Sequence, residues 1–178
     1  DFTGPREWQE KILRDIEIHI QRNQNMTMPE MFRLAVASGR GIGKSALVAW
    51  LILWMLSTRL GSTIIVTANT EQQLRSRTWA ELGKWLTLSI NSHWFHKTAT
   101  SLKPEKWFEE ALIRDLQIDT GYYYAQAQLW SEENPDAFAG IHSTYGVCLI
   151  MDEASGIPAP IYSVSEGFFS EPTSDRYW

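Results

Sequence analysis

Apolar residues along the chain recur with two different periods, and the switches between them mark out the elements. After Pro5 and Glu7, Trp8, Ile12, Ile16 and Ile20 fall four apart, which predicts an amphipathic helix over residues 5–22. Residues 31–37 form a short apolar run that reads as a buried strand. The glycine-rich stretch 38–43 turns the chain into a helix over 44–60, closed by Gly61. A second strand, rich in β-branched residues, is predicted at 62–68. A second helix follows at 71–90, with Leu82, Trp85 and Leu86 on one side. This strand–helix alternation predicts an α/β fold with a parallel sheet covered by helices. Between 91 and 134 the pattern weakens; strands are predicted at 107–114 and 122–129, around a turn at 119–121. Residues 147–151 are a continuous apolar run, a buried strand that delivers Asp152 and Glu153 to its C-terminal edge, where open α/β sheets bind ligands. No internal repeat, low-complexity tract or interdomain linker interrupts the 178 residues, so a single domain is expected.

Composition narrows the function classes. The formal charge of −5 argues against coating nucleic acid by bulk charge, so any such contact must be local. The longest apolar stretch, residues 46–56, is far shorter than a membrane span. Cys148 is the single cysteine and sits inside an apolar run, which excludes an internal disulfide framework and fits a reducing cytoplasm. Nine tryptophans imply large buried rings whose indole N–H groups need partners. His93 and His96 lack the clustering of a metal site and receive no function.

Two motifs carry chemistry. Ser38-Gly39-Arg40-Gly41-Ile42-Gly43-Lys44-Ser45 resembles the phosphate-binding P-loop, with Ser38 in place of its first glycine. Glycines let successive backbone N–H groups curl around phosphate oxygens, and the helix beginning near Lys44, Ser45 and Ala46 presents its positive end. Lys44 reaches the outer phosphates, and Ser45 can hold Mg²⁺. Asp152 completes the Mg²⁺ shell from the second motif, and Glu153 polarises the water that attacks ATP. The adjacent acid favours hydrolysis over the transfer carried out by a small-molecule kinase, so ATP and Mg²⁺ are the expected ligands.

With these motifs in place the chain resembles the ATPase region of the terminase large subunit of tailed bacteriophages and prophages. Five segments match together: Pro5-Arg6-Glu7-Trp8-Gln9, the P-loop with Arg40, Thr67-Ala68-Asn69-Thr70 with Gln73, the stretch from Asn134 to His142, and Ala154-Ser155-Gly156-Ile157-Pro158. The resemblance implies a P-loop NTPase of the ASCE/RecA-like type. It implies adenine recognition by Gln9 with Trp8 stacking, and a γ-phosphate role for Arg40. Gln73 would face nucleic acid, with Arg75, Arg77 and Lys84 as candidates for DNA phosphates; a solvated helix face is the alternative for those three.

The implied work is moving viral duplex DNA into a procapsid in the bacterial cytoplasm. The implied partners are duplex DNA, a small terminase subunit, the portal protein and sister copies forming a ring on the portal, with no membrane. In that ATPase class a further strand lies between the P-loop strand and the acidic strand; the sequence predicts that it begins only about Trp178 and is lacking here. The nuclease domain of the family is likewise not expected within the chain. Two rivals stay open: a helicase-like or recombination ATPase acting on DNA, and a nucleotide-binding module without turnover.

Overall fold

The computed structural model describes residues 4–37, 39, 41–138, 141 and 143–178. Among them, a six-stranded sheet runs in the order β2-β3-β4-β1-β5-β6, where β1 is Thr63–Thr67, β2 Phe95–Lys97, β3 Ser101–Pro104, β4 Tyr124–Ala127, β5 Val147–Met151 and β6 Arg176–Tyr177. Strands β4, β1, β5 and β6 are parallel, and β2 and β3 join them as an antiparallel edge. The fold is therefore the α/β class expected, with a mainly parallel sheet flanked by helices.

Alternation along β1 explains the layering. Ile64 and Val66 enter one core, formed with helix α2 (Lys44–Thr58) and helix α4 (Ala80–Leu88) through Ile52, Leu56, Leu82 and Leu86. Ile65 points to the opposite face, where Val147 and Leu149 of β5 meet Ile161 of helix α6 (Ala159–Ser165) and the rings of Phe138, Phe168 and Phe169. Helix α2 is apolar around its circumference because it lies between layers: its inner face meets the sheet, and Leu47 meets Ile12 and Ile16 of helix α1 (Glu7–Asn23). Trp79 is fully buried and donates its indole N–H to the Thr98 carbonyl at 3.1 Å, as the large rings required. Trp8 and Trp130 bury their indole N–H without a partner among the described residues.

Several boundaries differ from the sequence pattern, each for a physical reason. Residues 107–114 are not a strand but lie in helix α5 (Lys106–Leu116); Phe108 and Leu112, four apart, are its buried stripe, and that helical spacing outweighs the β-favouring rings. Residues 71–90 do not form one helix. A short α3 (Glu71–Gln73) passes into a π-helix, Leu74–Trp79, before α4 begins. The run at 31–37 is not buried: Phe32 alone bridges to the sheet, half-exposed, at its outer edge beside Tyr177.

The most consequential correction concerns the strand expected only beyond Trp178. β6 already occupies that place: it pairs in parallel with β5 on one side, and on the other the Phe32 and Leu34 N–H groups donate to the Arg176 and Trp178 carbonyls at 2.9 and 2.8 Å. The N-terminal side of β6 is tied to the end of α2, because Arg59 Nε donates to Asp175 at 3.0 Å while the guanidinium lies 4.6 Å from the Trp54 ring centroid. Burial pushes the Tyr177 hydroxyl up to about 12.

His19 closes this corner, its ring 5.0 Å from that of Phe32 and 5.8 Å from that of Tyr177. Desolvation lowers the pKa of its imidazole below the ordinary 6.5, against the pull of Asp175 and Glu30 and with the push of Arg22 and Arg59. A lowered cation pKa means that the unfolded chain takes up a proton before the folded one does, so stability declines as pH falls through and below 6.5. The expected outcome is a thermal unfolding midpoint that drops more steeply between pH 7 and about 5.5 for the wild type than for His19→Gln; parallel profiles would show that the burial of this ring has no energetic weight.

Candidate nucleotide and metal site

The glycine loop meets α2 through two left-handed residues, Gly41 at φ 74° and Gly43 at φ 95°, and Gly43 is the N-cap of the helix. Lys44 Nζ donates back to the Gly39 carbonyl at 2.9 Å, closing the loop around the space where its ammonium would meet phosphate oxygens. Ile42, Ser45 and Ala46 are half-buried, and Leu47 anchors the first turn of α2 in the core. Ser38 and Arg40 lie outside the described residues.

Gln9 supports this loop from α1. It is buried at 3% exposure, accepts the Arg6 backbone N–H at 2.8 Å and donates Nε2 to the Gly43 carbonyl at 2.9 Å. Both ends of its amide thus hold backbone, and one N–H and one carbonyl lone pair are not used by these two bonds. Trp8, expected to stack on adenine, packs half-buried against the Ile12, Ile16 and Leu47 cluster.

The acids arrive from β5. The Asp152 N–H donates to the Thr67 carbonyl at 2.8 Å, which extends the β1–β5 ladder one residue beyond the strand and fixes the carboxylate at the sheet edge. Its Oδ2 accepts the hydroxyl of Thr78 at 2.7 Å, and Thr78 is fully buried. Glu153 adopts a left-handed conformation, φ 54° and ψ 44°, uncommon for a residue with a side chain and characteristic of functional turns. Three side chains hold it: Asn69 donates to its carbonyl at 3.1 Å, Gln73 to Oε2 at 2.8 Å and Arg77 to Oε1 at 3.0 Å. The Arg77 pair is half-exposed and contributes roughly 1 kcal/mol or less.

The π-helix explains this convergence. Gln73 and Thr78, five apart, would lie about 140° from each other around an α-helix, whereas a π-turn bonds residues five apart and stacks them on one side. Gln73, Arg77 and Thr78 were not read as partners of the acids from the sequence. Gln73, read with the Thr67–Thr70 segment as facing nucleic acid, and Arg77, left open between DNA phosphates and a solvated face, both hydrogen-bond the Glu153 carboxylate. Of the other candidates, Arg75 pairs with Glu71 at 2.7 Å and Lys84 with Glu81 at 3.3 Å, both on the exposed helix surface. The only visible hint of Thr78 was its place two turns after the Thr67–Thr70 segment.

The sheet brings the two motifs together. The Phe32 segment, β6 and β5 run in parallel, so the loop after the first and the acids after the last leave the same edge, about two strand spacings or 10 Å apart. The residues fit ATP: left-handed glycines, the positive end of a fifteen-residue helix and a loop lysine face one edge. They also fit Mg²⁺. Among the described residues no group of three or more His, Cys, Asp or Glu is present, and Mg²⁺ needs none where one hydroxyl, one carboxylate, waters and substrate phosphates complete its shell. Ser45 and Asp152 are the hydroxyl and the carboxylate that would hold it. Burial pushes the Cys148 thiol, on the α2 side of β5, up to about 12. A surface groove lined by Leu53, Trp54, Ile90 and Trp94 lies at the other end of α2, on the order of 20 Å from Lys44.

Comparison with known families agrees with this architecture. The model of the helicase domain of the RNA cytidine acetyltransferase NAT10/TcmA matches residues 35–165, about three quarters of the chain. The chain belongs to this helicase-domain family. Membership makes it a P-loop, nucleotide-dependent helicase-like module. The matched span runs from just before the glycine loop through β5 and the acids to the last residue of α6, so it contains both halves of the site. The family is a helicase-domain family, where the residue-level resemblance pointed to a terminase, and no curated protein matches the chain. Among the described residues no helix is long and apolar enough to cross a membrane.

The left-handed helix cap of this helicase-like module is open to a direct test. A Cβ at Gly43 would stand 3.0 Å from Gln9 Nε2, in a conformation that costs a residue with a side chain about 1–2 kcal/mol. Gly43→Ala is expected to lower the unfolding midpoint and weaken binding of a fluorescent ATP analogue several-fold. An alanine variant that binds like the wild type would show that the cap geometry does not shape the phosphate site.

Proposed function

We propose that the chain is an ATP-hydrolysing motor domain, and that its track is viral duplex DNA being driven into a procapsid. The observation that carries the ATPase reading is the meeting of the Lys44 loop and the Asp152–Glu153 pair at one edge of the sheet, with Glu153 oriented by Gln73 and Arg77. Lys44, the loop amides and Arg40 bind and neutralise the phosphates of ATP. Ser45 and Asp152 would hold Mg²⁺, which would supply further charge neutralisation at the phosphates. Glu153 orients the attacking water and accepts its proton at a carboxylate oxygen as the water oxygen bonds to the γ phosphorus and the ADP oxygen departs.

The packaging reading rests on the resemblance of five segments to terminase large subunits, above all residues 134–142 before the acids and 154–158 after them. A small terminase subunit, the portal protein and sister copies in a ring on the portal are the partners that this reading requires, in the cytoplasm of a bacterial host. A second reading is favoured by the helicase-domain family: a helicase-like ATPase whose track is another nucleic acid, RNA included. Stimulation of ATP hydrolysis separates them. Preference for long duplex DNA without strand separation supports packaging, and preference for single strands or RNA, or unwinding of a duplex, supports the helicase-like alternative.

Glu153→Gln is expected to keep ATP affinity within a few-fold while hydrolysis falls by about two orders of magnitude or more. Lys44→Ala is expected to lose nucleotide binding itself. Undiminished turnover in the Gln variant would remove Glu153 from its role, and a wild type that binds ATP without hydrolysing it would favour a nucleotide-binding module without turnover.

A further inference from the structure

Thr78 belongs to neither motif, yet its hydroxyl makes the 2.7 Å bond to Asp152 Oδ2 from a side chain with no exposed surface. A carboxylate at a sheet edge can swing about its two torsions, and a metal ligand loses affinity with every alternative rotamer it visits. One hydroxyl donated to one oxygen removes that freedom and leaves the second oxygen, Oδ1, to face the metal. The donor is itself fixed. Thr78 lies in the π-helix, whose widened turn carries it to β5; its neighbour Trp79 is wedged in the core at 2% exposure, with its indole N–H on Thr98. π-Turns of this kind are rare and are kept mostly at functional sites.

We infer that Thr78 is a positioning residue for the Mg²⁺ ligand Asp152, and that the π-helix Leu74–Trp79 is retained to deliver it. The inference rests on the ATPase reading of the site. It concerns the metal and not the nucleotide: Thr78 sets how tightly the divalent ion is held, while the glycine loop and Lys44 hold the phosphates without it.

The test measures Mn²⁺ binding directly, from the electron paramagnetic resonance signal of free Mn²⁺ with saturating ADP, beside ADP affinity in EDTA and the unfolding midpoint. Thr78→Val, which keeps the shape and removes the donor, is expected to weaken Mn²⁺ binding about tenfold or more with ADP affinity in EDTA unchanged. Thr78→Ser restores the wild-type value. Thr78→Ala removes the donor without a second methyl and is expected to behave as Val, which keeps the test open should the Val variant fold poorly. Wild-type Mn²⁺ affinity in both donor-less variants overturns the inference, and so does a parallel loss of ADP affinity in EDTA, which would make Thr78 a packing residue. A wild-type chain that binds no ADP with Mn²⁺ present overturns the ATPase reading itself and this inference with it.

Discussion

Backbone hydrogen bonds from Phe32 and Leu34 to Arg176 and Trp178, on either side of Tyr177, set the distance between the phosphate loop and the acids. The loop follows the Phe32 segment, the acids follow β5, and β6 stands between them, bonded to both. Parallel strands leave the sheet at a common edge, so this ladder converts two motifs more than a hundred residues apart into one site. Its outer member is half-exposed and meets the sheet only around Phe32 and Leu34, which also pack against the Ile12 and Ile16 face of α1.

The rest of the site is built on that frame from two sides. From α1, Gln9 ties the Gly43 carbonyl to the start of the chain, so the conformation of the loop and the placement of α1 are one constraint. From the segment after β1, Asn69, Gln73, Arg77 and Thr78 hold the backbone and both carboxylates of the acid pair. Buried acceptor atoms of Asn69 and Gln73 have no partner among the described residues, so this network is polar beyond what its own bonds satisfy. The outer surface of the same segment carries Arg75, whose pairing with Glu71 is exposed and weak.

Much of the fold could be read in advance where one pattern dominated. A run of β-branched residues announced β1, an unbroken apolar run announced β5, and the apolar helix after the glycines announced α2. Reading failed where two patterns compete in a short segment. Phe108 and Leu112 lie at helical spacing among rings that also favour strands, and the hairpin of β2 and β3 is too short to show a period at all. The π-helix was illegible for a different reason: Leu74–Trp79 is compatible with an ordinary α-helix, and its widened turn is stabilised by packing Trp79 and Thr78 against other elements.

The sequence by itself determined which residue types are offered at this sheet edge. Glycines that accept positive φ, a lysine and a serine at a helix start, and two acids at the end of an apolar strand are local features, and each residue type has a phosphate- or metal-related reason to be there. Only the tertiary structure decided what those residues are held by. It put Gln73 and Arg77 on Glu153, Gln9 on the loop and Thr78 on Asp152, and showed that β6 already occupies the place between the two motifs. These are long-range hydrogen bonds between polar side chains of ordinary appearance, and no local periodicity records which distant backbone or carboxylate such a side chain will meet.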